Sequence, residues 1–426
     1  MATDRDQGEG VVAGALFGLL TQATTAVFTA GLTIYLVRAL DAPGFGLFSL
    51  GVSLLGIGLL VPDAAVSASA GRFMADRRQD TERVRDVVAT ALGLKLAGAV
   101  SVGAVVALAA GPIAGAYGKP GFEAPLRAFA IALAAEALLL LWLEVFISLR
   151  RLALSARLIF VESLVEASAS VALVALGGGV TGAALGRAAG YVVAVVLGVA
   201  MVARLLGRGA LDLRRSDRAL RWEIVGYARP LFATTAAFTA YGAIDTQLIA
   251  LLLSSAEIGV WSAPLRLLSL LAYVALAVSN AIAPRMSLEA SGGPDVRAFN
   301  AGLRWLLVLH VAITVVVVVW AGPIVSLVLG PEFAESANVL RAMGPLILLL
   351  GISPLASTTV NYLGEASRRL PIVLTSFVVN AAIDVVLLPA IGVVGAAIGT
   401  TIAYLIYVPA HLRLFRLPPY LPLPPP

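Results

Sequence analysis

The sequence predicts an all-α integral membrane protein of about twelve transmembrane helices, built as two parallel six-helix repeats. Three observations carry that prediction. Of 426 residues, 60% are hydrophobic and 13% charged, whereas globular domains run at about 45–50% apolar and about 25% charged. The apolar residues fall in segments of roughly 20 to 27, the length that crosses about 30 Å of hydrocarbon with some tilt. Finally, the second half repeats the first. Phe45-Gly46-Leu47-Phe48-Ser49 returns as Ile258-Gly259-Val260-Trp261-Ser262, Ala70-Gly71-Arg72 as Ala283-Pro284-Arg285, Gly111-Pro112-Ile113 as Gly322-Pro323-Ile324, and Gly182-Ala183-Ala184 as Gly395-Ala396-Ala397. The shift stays at roughly 211 to 213 residues throughout, too constant for an accident of composition. Helices are the elements implied, because they satisfy their own backbone groups in lipid; the short alternating segments of a membrane barrel are missing.

Taken in order, segment 11–37 follows ten polar residues with no charged n-region or cleavage pattern, so it reads as a spanning helix and not a signal peptide. Segment 43–70 opens at Pro43 and carries Pro62-Asp63 in its middle, where a broken helix is expected. Segments 87–112, 124–149 and 157–176 follow. Segment 180–205 is marked by Gly178, Gly182, Gly186 and Gly190, four apart and hence on one stripe, as close helix packing requires where lipid gives no hydrophobic drive. Segments 223–253, 258–283, 299–329, 335–362, 371–390 and 392–412 repeat the series, with Gly395 and Gly399 restoring part of the stripe. The expected organisation is an N-terminal six-helix lobe (1–205), a basic cytoplasmic linker (206–221), a C-terminal six-helix lobe (222–412) and a Pro-rich cytoplasmic tail (413–426). The linker reads as a basic amphipathic stretch lying on anionic headgroups, and the tail as extended polyproline.

Charge distribution sets the orientation. With the N-terminus inside, about 21 cationic residues fall at cytoplasmic ends, against Arg38, Lys119, Arg127 and Arg341 outside, a strong positive-inside bias. The expectation is a multi-pass protein of the cytoplasmic (inner) membrane with both termini cytoplasmic. Cysteine is absent, which excludes disulfides, thiolate metal sites and a cysteine nucleophile. Two histidines, His310 and His411, leave little from which to build a metal centre. A net charge of +5 held at segment ends does not point to nucleic acid. No paired-carboxylate, serine–histidine or metal constellation indicates an enzyme, and the short outer loops leave no room for a catalytic domain.

Ionisable residues inside the spans carry the functional signal, since each costs about 2.5–3.5 kcal/mol at the bilayer centre unless it meets water or a partner. The cations are Lys95, Arg187, Arg229, Arg266 and Arg304; the anions are Asp63, Glu136, Glu144, Glu162, Glu166, Asp245 and Asp384. Arg187 and Arg266 each lie about two turns in from the outer face, and Lys95 and Arg304 one to two turns in from the inner face, one of each per lobe. These four are candidates for binding an anionic substrate, the arginines because their forked donors match two oxygens at once. Arg229 reads as snorkelling to the surface. Glu162 and Glu166, at i and i+4, share one helix face; with Asp63, Asp384 and Asp245 they are candidates for coupling to H⁺ or Na⁺. Glu144 is expected to pair with Arg150 or Arg151, and Glu136 has no evident role. His310 reads as a hydrogen-bonded core residue, and the five tryptophans as interfacial anchors.

Several stretches resemble a known family. Leu36-Val37-Arg38-Ala39-Leu40-Asp41-Ala42-Pro43-Gly44-Phe45-Gly46-Leu47-Phe48 looks like the first helix–loop–helix signature of the polysaccharide (O-antigen and exopolysaccharide) flippases, Wzx-like, of the MOP superfamily that also contains the MATE transporters. Asp245 with Leu248-Ile249 and Gly259-Val260-Trp261 resembles the matching signature of the second half, and Asn380-Ala381-Ala382-Ile383-Asp384 through Gly395-Ala396-Ala397 resembles the penultimate hairpin. The resemblance implies translocation of polyprenyl-diphosphate-linked oligosaccharide from the inner to the outer leaflet, by alternating access between two lobes, for cell-surface polysaccharide synthesis, with other polysaccharide-assembly membrane proteins as neighbours. Asp384 departs from the uncharged polar residue expected there. The competing reading is a MATE-type cation-coupled multidrug antiporter, whose cavity would be dominated by carboxylates and aromatics; Arg187, Arg266 and an aromatic content of 7% weigh against it.

Overall fold

A computed structural model of the chain describes residues 2–286, 295–363 and 368–414, with side chains described from Thr24 onward. The Pro-rich stretch from 415 lies outside the described residues. Every regular element among the described residues is helical. In order they are α1 (Ala2–Gly58), α2 (Leu60–Asp63), α3 (Val66–Asp76), α4 (Thr81–Leu108), α5 (Ala110–Ala116), α6 (Glu123–Ser148), α7 (Leu152–Leu173), α8 (Gly179–Leu206), α9 (Arg218–Leu252), α10 (Ser255–Ile282), α11 (Val296–Val319), α12 (Ala321–Val328), α13 (Ser336–Ala342), α14 (Gly344–Tyr362), α15 (Arg369–Ile391) and α16 (Val393–Arg413).

Among the described residues seven helical stretches are long and apolar enough to cross a membrane, or nine if two bent pairs are each one span. Two of the seven, Thr24–Asp63 with 40 residues and Leu152–Leu206 with 55, are each about twice one crossing. Both contain a reversal. In α1 the break is Asp41 (φ 57°, ψ −178°), whose carboxylate accepts the Gly44 N–H at 2.8 Å and so caps the helix that Pro43 opens. Between α7 and α8 the chain turns through Gly177 (φ 88°) and Gly179 (φ 51°). With these counted as pairs, and with α9 added, the helices coincide with the twelve segments read from the sequence.

The chain divides into two compact units, residues 1–239 and 240–426, with the division falling within α9. Inside each unit the same series of elements recurs. The short helix α5, a turn of 3₁₀ helix at Pro120–Phe122 and the buried Phe122 have their counterparts in α12, Pro331–Phe333 and the buried Phe333. The turn before α8 uses Gly179 at φ 51°, ψ −139°, and the turn before α16 uses Gly392 at φ 63°, ψ −151°. A side chain with Cβ is strained in that region, which is why both positions hold glycine.

The glycine stripe sets how close α8 and α16 approach their partners. A Cβ on Gly190 would sit 2.8 Å from Glu166 Cβ and 2.9 Å from the Glu162 carbonyl oxygen. On Gly399 it would overlap Asp384 Oδ1 and lie 3.3 Å from Asn380 Oδ1. The stripe therefore presses each helix against the acidic residues of the preceding span. The segment 206–221 packs along α4. It forms two short 3₁₀ turns, Arg208–Leu211 and Leu213–Arg215, tied to α4: Arg215 donates to Asp86 at 2.9 Å and pairs with Glu82, while Arg85 donates to the Leu206 carbonyl.

Gly190→Ala is expected to destabilise the protein by about 1–3 kcal/mol, because backbone and not a flexible tip blocks the new methyl. Gly226→Ala, with nothing within 4 Å of the added carbon, is expected to stabilise by about 0.5–1 kcal/mol. Thermal unfolding of the purified variants in one detergent checks both signs.

Candidate functional site

Three buried polar clusters stand inside the spans, two in the first unit and one in the second. The first forms where the second span breaks. Ala64 and Ala65 both adopt positive φ, 38° and 59°, a strained conformation for residues with a Cβ. The break turns Asp63 toward α4, where Lys95, with 0% exposure, donates to the Asp63 carboxylate and to Ser67 Oγ at 2.6 Å. Ser67 Oγ donates in turn to Asp63 Oδ1 at 2.7 Å. The broken helix was expected to hold a cation beside Asp63; the group found there is the ammonium of Lys95.

The second cluster joins α6, α7 and α8. Arg187 Nη1 donates to Glu166 Oε1 at 2.8 Å and Nη2 donates to Tyr191 Oη at 2.7 Å. Its guanidinium carbon lies 5.2 Å from the Tyr191 ring centre, a cation–π contact. Glu162, one turn before Glu166, is buried and accepts from Ser163 at 3.0 Å. Glu136, unassigned from the sequence, reaches the Tyr191 hydroxyl and faces both Arg187 and Lys95. Glu136 Oε2 and Arg187 Nε are buried without a hydrogen-bond partner.

The third cluster joins α9, α15 and α16. Asp245 Oδ1 accepts from Asn380 Nδ2 at 2.6 Å and from Thr400 Oγ1 at 3.1 Å. Asp384, one turn beyond Asn380 and with 0% exposure, lies against Asp245, its two oxygens without a donor. Asn380 Oδ1 is also buried and without a donor. Two carboxyl groups, an amide oxygen and a hydroxyl thus lie together. Oxygen-only ligation of this kind suits a hard monovalent cation, and a shared proton suits the carboxyl pair equally. Asn380 and Thr400 were missed as site residues. Their signal was the i, i+4 spacing of Asn380 to Asp384, which places both on one face.

Arg266 is half-buried on α10, two residues past Pro264, and Arg304 is exposed on α11 beside Trp305. Glu144 accepts from Ser148 at 3.4 Å and packs against Gly71, in place of the expected pairing with Arg150 or Arg151. His310 is 1% exposed with Nδ1 2.9 Å from the Leu306 carbonyl, the core role read from its sequence context. Trp222, Trp305 and Trp320 are exposed, as anchors are, but Trp142 and Trp261 are fully buried in helix contacts. Among the described residues no three His, Asp or Glu side chains are grouped to hold a metal ion.

Repeated helical units whose spans bury compensated charge define a multi-pass membrane transporter fold. Residues 11–288 match the family described as polysaccharide biosynthesis protein, and residues 230–386 match MatE. The chain belongs to the polysaccharide biosynthesis protein family. Its fold is shared with solved structures of the MOP superfamily. It is similar to the lipid II flippase MurJ in an inward closed conformation (TM-score 0.74, 13% identity, 93% of this chain and 87% of that one). It is also similar to an inward-facing multidrug resistance MATE family transporter (TM-score 0.67, 15% identity, 93% and 97%). A third likeness is to a MOP superfamily transporter from Pyrococcus furiosus, described as having a binding pocket of reverse polarity (TM-score 0.61, 14% identity, 96% and 94%). No curated protein sequence matches.

Removing one partner of a buried ion pair strands the other, whereas replacing both with apolar groups is close to neutral. Lys95→Met is therefore expected to cost about 3–5 kcal/mol, and Lys95→Met with Asp63→Leu to recover most of that loss. Melting temperatures of the single and double variants check the coupling.

Proposed function

We propose that the protein is a flippase carrying polyprenyl-diphosphate-linked oligosaccharide from the inner to the outer leaflet of the cytoplasmic membrane, coupled to an ion gradient. Two six-helix lobes, 1–205 and 222–412, joined by the basic linker 206–221, alternate access to the substrate, with both termini cytoplasmic. The observation that carries this reading is the Arg187 fork. It is an arginine inside a membrane span, held by an exchangeable carboxylate and a phenol, in a chain of the polysaccharide biosynthesis family. Guanidinium presents paired donors to diphosphate oxygens, and exchange of one carboxylate for another anion costs little where both are desolvated. Arg266 is the corresponding cation of the other half, with Lys95 and Arg304 nearer the inner face. The likeness to a lipid II flippase supports a lipid-linked substrate.

An apolar groove of about 470 Å³ between α4, α6 and α8 supports a seat for part of the polyprenyl tail. Its lining includes Leu96, Val100, Ala134, Leu138, Val192 and Val196, on the three helices that carry Lys95, Glu136 and Arg187. The coupling ion, H⁺ or Na⁺, is assigned to Asp245, Asp384, Asn380 and Thr400. The unmatched oxygens of Asp384 and Asn380 accept one positive charge and release it when that cluster opens to the other side. Glu162, Glu166 and Asp63 serve as charge partners in the first unit. A second reading, a cation-coupled multidrug antiporter, is favoured by the MatE match and by the excess of carboxylates over cations in the spans.

Cells lacking the gene are expected to accumulate completed lipid-linked oligosaccharide on the inner leaflet, read by mass spectrometry of the lipid pool. Wild type restores the pool, and Arg187→Ala, Arg266→Ala and Asp384→Asn restore less than a tenth of surface polysaccharide. Unchanged lipid pools together with new sensitivity to cationic dyes would replace this reading with the antiporter.

A further inference from the structure

Segment 206–221 holds five arginines and two aspartates, and the structure sorts them onto two faces. On one face, Arg215 donates to Asp86 Oδ1 at 2.9 Å and pairs with Glu82, while Arg85 of α4 donates to the Leu206 carbonyl. Leu206 and Ala210 are buried, and the Asp217 N–H donates to Thr90 Oγ1 at 3.4 Å. These contacts fasten the segment to α4. On the other face, Arg208, Arg214 and Arg218 are exposed, and among the described residues no carboxylate pairs with their guanidinium groups. The two aspartates serve the backbone instead. Asp212 accepts the Arg214 N–H at 3.0 Å, and Asp217 caps α9 by accepting the N–H groups of Ala219 at 3.3 Å and Leu220 at 3.1 Å. Arg221 donates to Ser216 Oγ at 2.9 Å. Two apolar side chains interleave with these arginines in the sequence and are exposed, Leu213 at 43% and Trp222 at 61%. The segment begins where the apolar stretch Leu152–Leu206 ends, the level at which a span leaves hydrocarbon.

We infer that this second face is a docking surface for anionic phospholipid, its phosphates held by Arg208, Arg214 and Arg218 and its acyl boundary met by Leu213 and Trp222. The charges are complementary: cations with no acid paired to them meet phosphate at the depth where headgroups lie. A guanidinium fork takes two phosphate oxygens at once, and an indole ring sits stably between acyl chains and headgroups. Each arginine near an anionic surface strengthens binding about fivefold. Because α4 already holds the segment in place, little conformational entropy is lost when the lipid binds. The arginines thus divide the work. Arg215 builds the surface by gripping Asp86 and Glu82, and Arg208, Arg214 and Arg218 use it. This lipid surface is independent of the transported substrate, so failure of either assignment leaves the other standing.

The test uses the purified full chain in nanodiscs of phosphatidylcholine with a rising share of phosphatidylglycerol, one or the other lipid carrying brominated acyl chains. Bromine quenches tryptophan fluorescence on contact, and subtracting the signal of Trp222→Phe isolates Trp222. The relative affinity of the two lipids beside Trp222 is read from the quenching. Phosphatidylglycerol is expected to be preferred roughly tenfold or more at low salt, and the preference to shrink in 0.5 M NaCl, where exposed charges are screened within a few ångströms. The triple variant Arg208→Gln, Arg214→Gln, Arg218→Gln should bind both lipids about equally. Its melting temperature should match wild type, since no ion pair among the described residues is removed. Arg83→Gln should keep the preference, because that exposed cation at the start of α4 is matched by Asp80 at 3.2 Å. Equal quenching by both lipids in wild type, or a preference that the triple variant retains, would overturn the docking surface. So would a loss in Arg83→Gln as large as in the triple variant, because the attraction would then belong to the overall charge of that side and not to this segment.

Discussion

A charge in hydrocarbon has no water to lean on, and the arrangement of this protein follows from how each charge inside its spans is compensated. Lys95 is buried to 0% exposure yet satisfied, because a strained bend at Ala64 and Ala65 swings Asp63 and Ser67 to meet it. Arg187 is met by Glu166 and Tyr191. Asp245 and Asp384 meet each other, with Asn380 and Thr400 donating to Asp245. Two clusters each contain a basic side chain paired with a carboxylate. In the third, two carboxyl groups lie together, with Asn380 and Thr400 donating to Asp245.

Close helix approach makes these contacts possible. Without glycine at 190 and 399, α8 and α16 would stand off from the spans that carry Glu162, Glu166 and Asp384, and the carboxyl groups would be solvated by lipid or water in place of partners. The repeated glycines and the buried acids therefore form one device, used once in each unit. A single gene duplication explains why the turn before α8 and the turn before α16 have nearly the same backbone angles.

Much of this was legible in the amino-acid order. The repeat shift, the span boundaries and the inner glycine stripe are all properties of spacing, which helix periodicity exposes directly. The Glu162–Glu166 face was visible for the same reason, and Arg187 lies on the adjoining span of one hairpin. Contacts between distant spans were not legible. Asp63 meets Lys95 because two alanines adopt positive φ, and alanine gives no warning of that. Asp245 lies 135 positions from Asn380, so its donor could not be read from local sequence. Glu136 had no assigned role for the same reason, and Trp142 and Trp261 were read as anchors because position along a helix does not tell which face is covered.

The most direct test of the account is thermal unfolding of the purified chain, in sodium against choline salts at one ionic strength and across pH. A ligand that binds only the folded state stabilises it by about 2.7 kcal/mol at a hundred times its dissociation constant. The melting temperature of wild type is predicted to rise with Na⁺ or with acidification, and Asp384→Asn to lose that rise. Identical melting of wild type in every salt and at every pH, or a full response retained by Asp384→Asn, would contradict the claim that the Asp245–Asp384 pair is completed by a mobile cation.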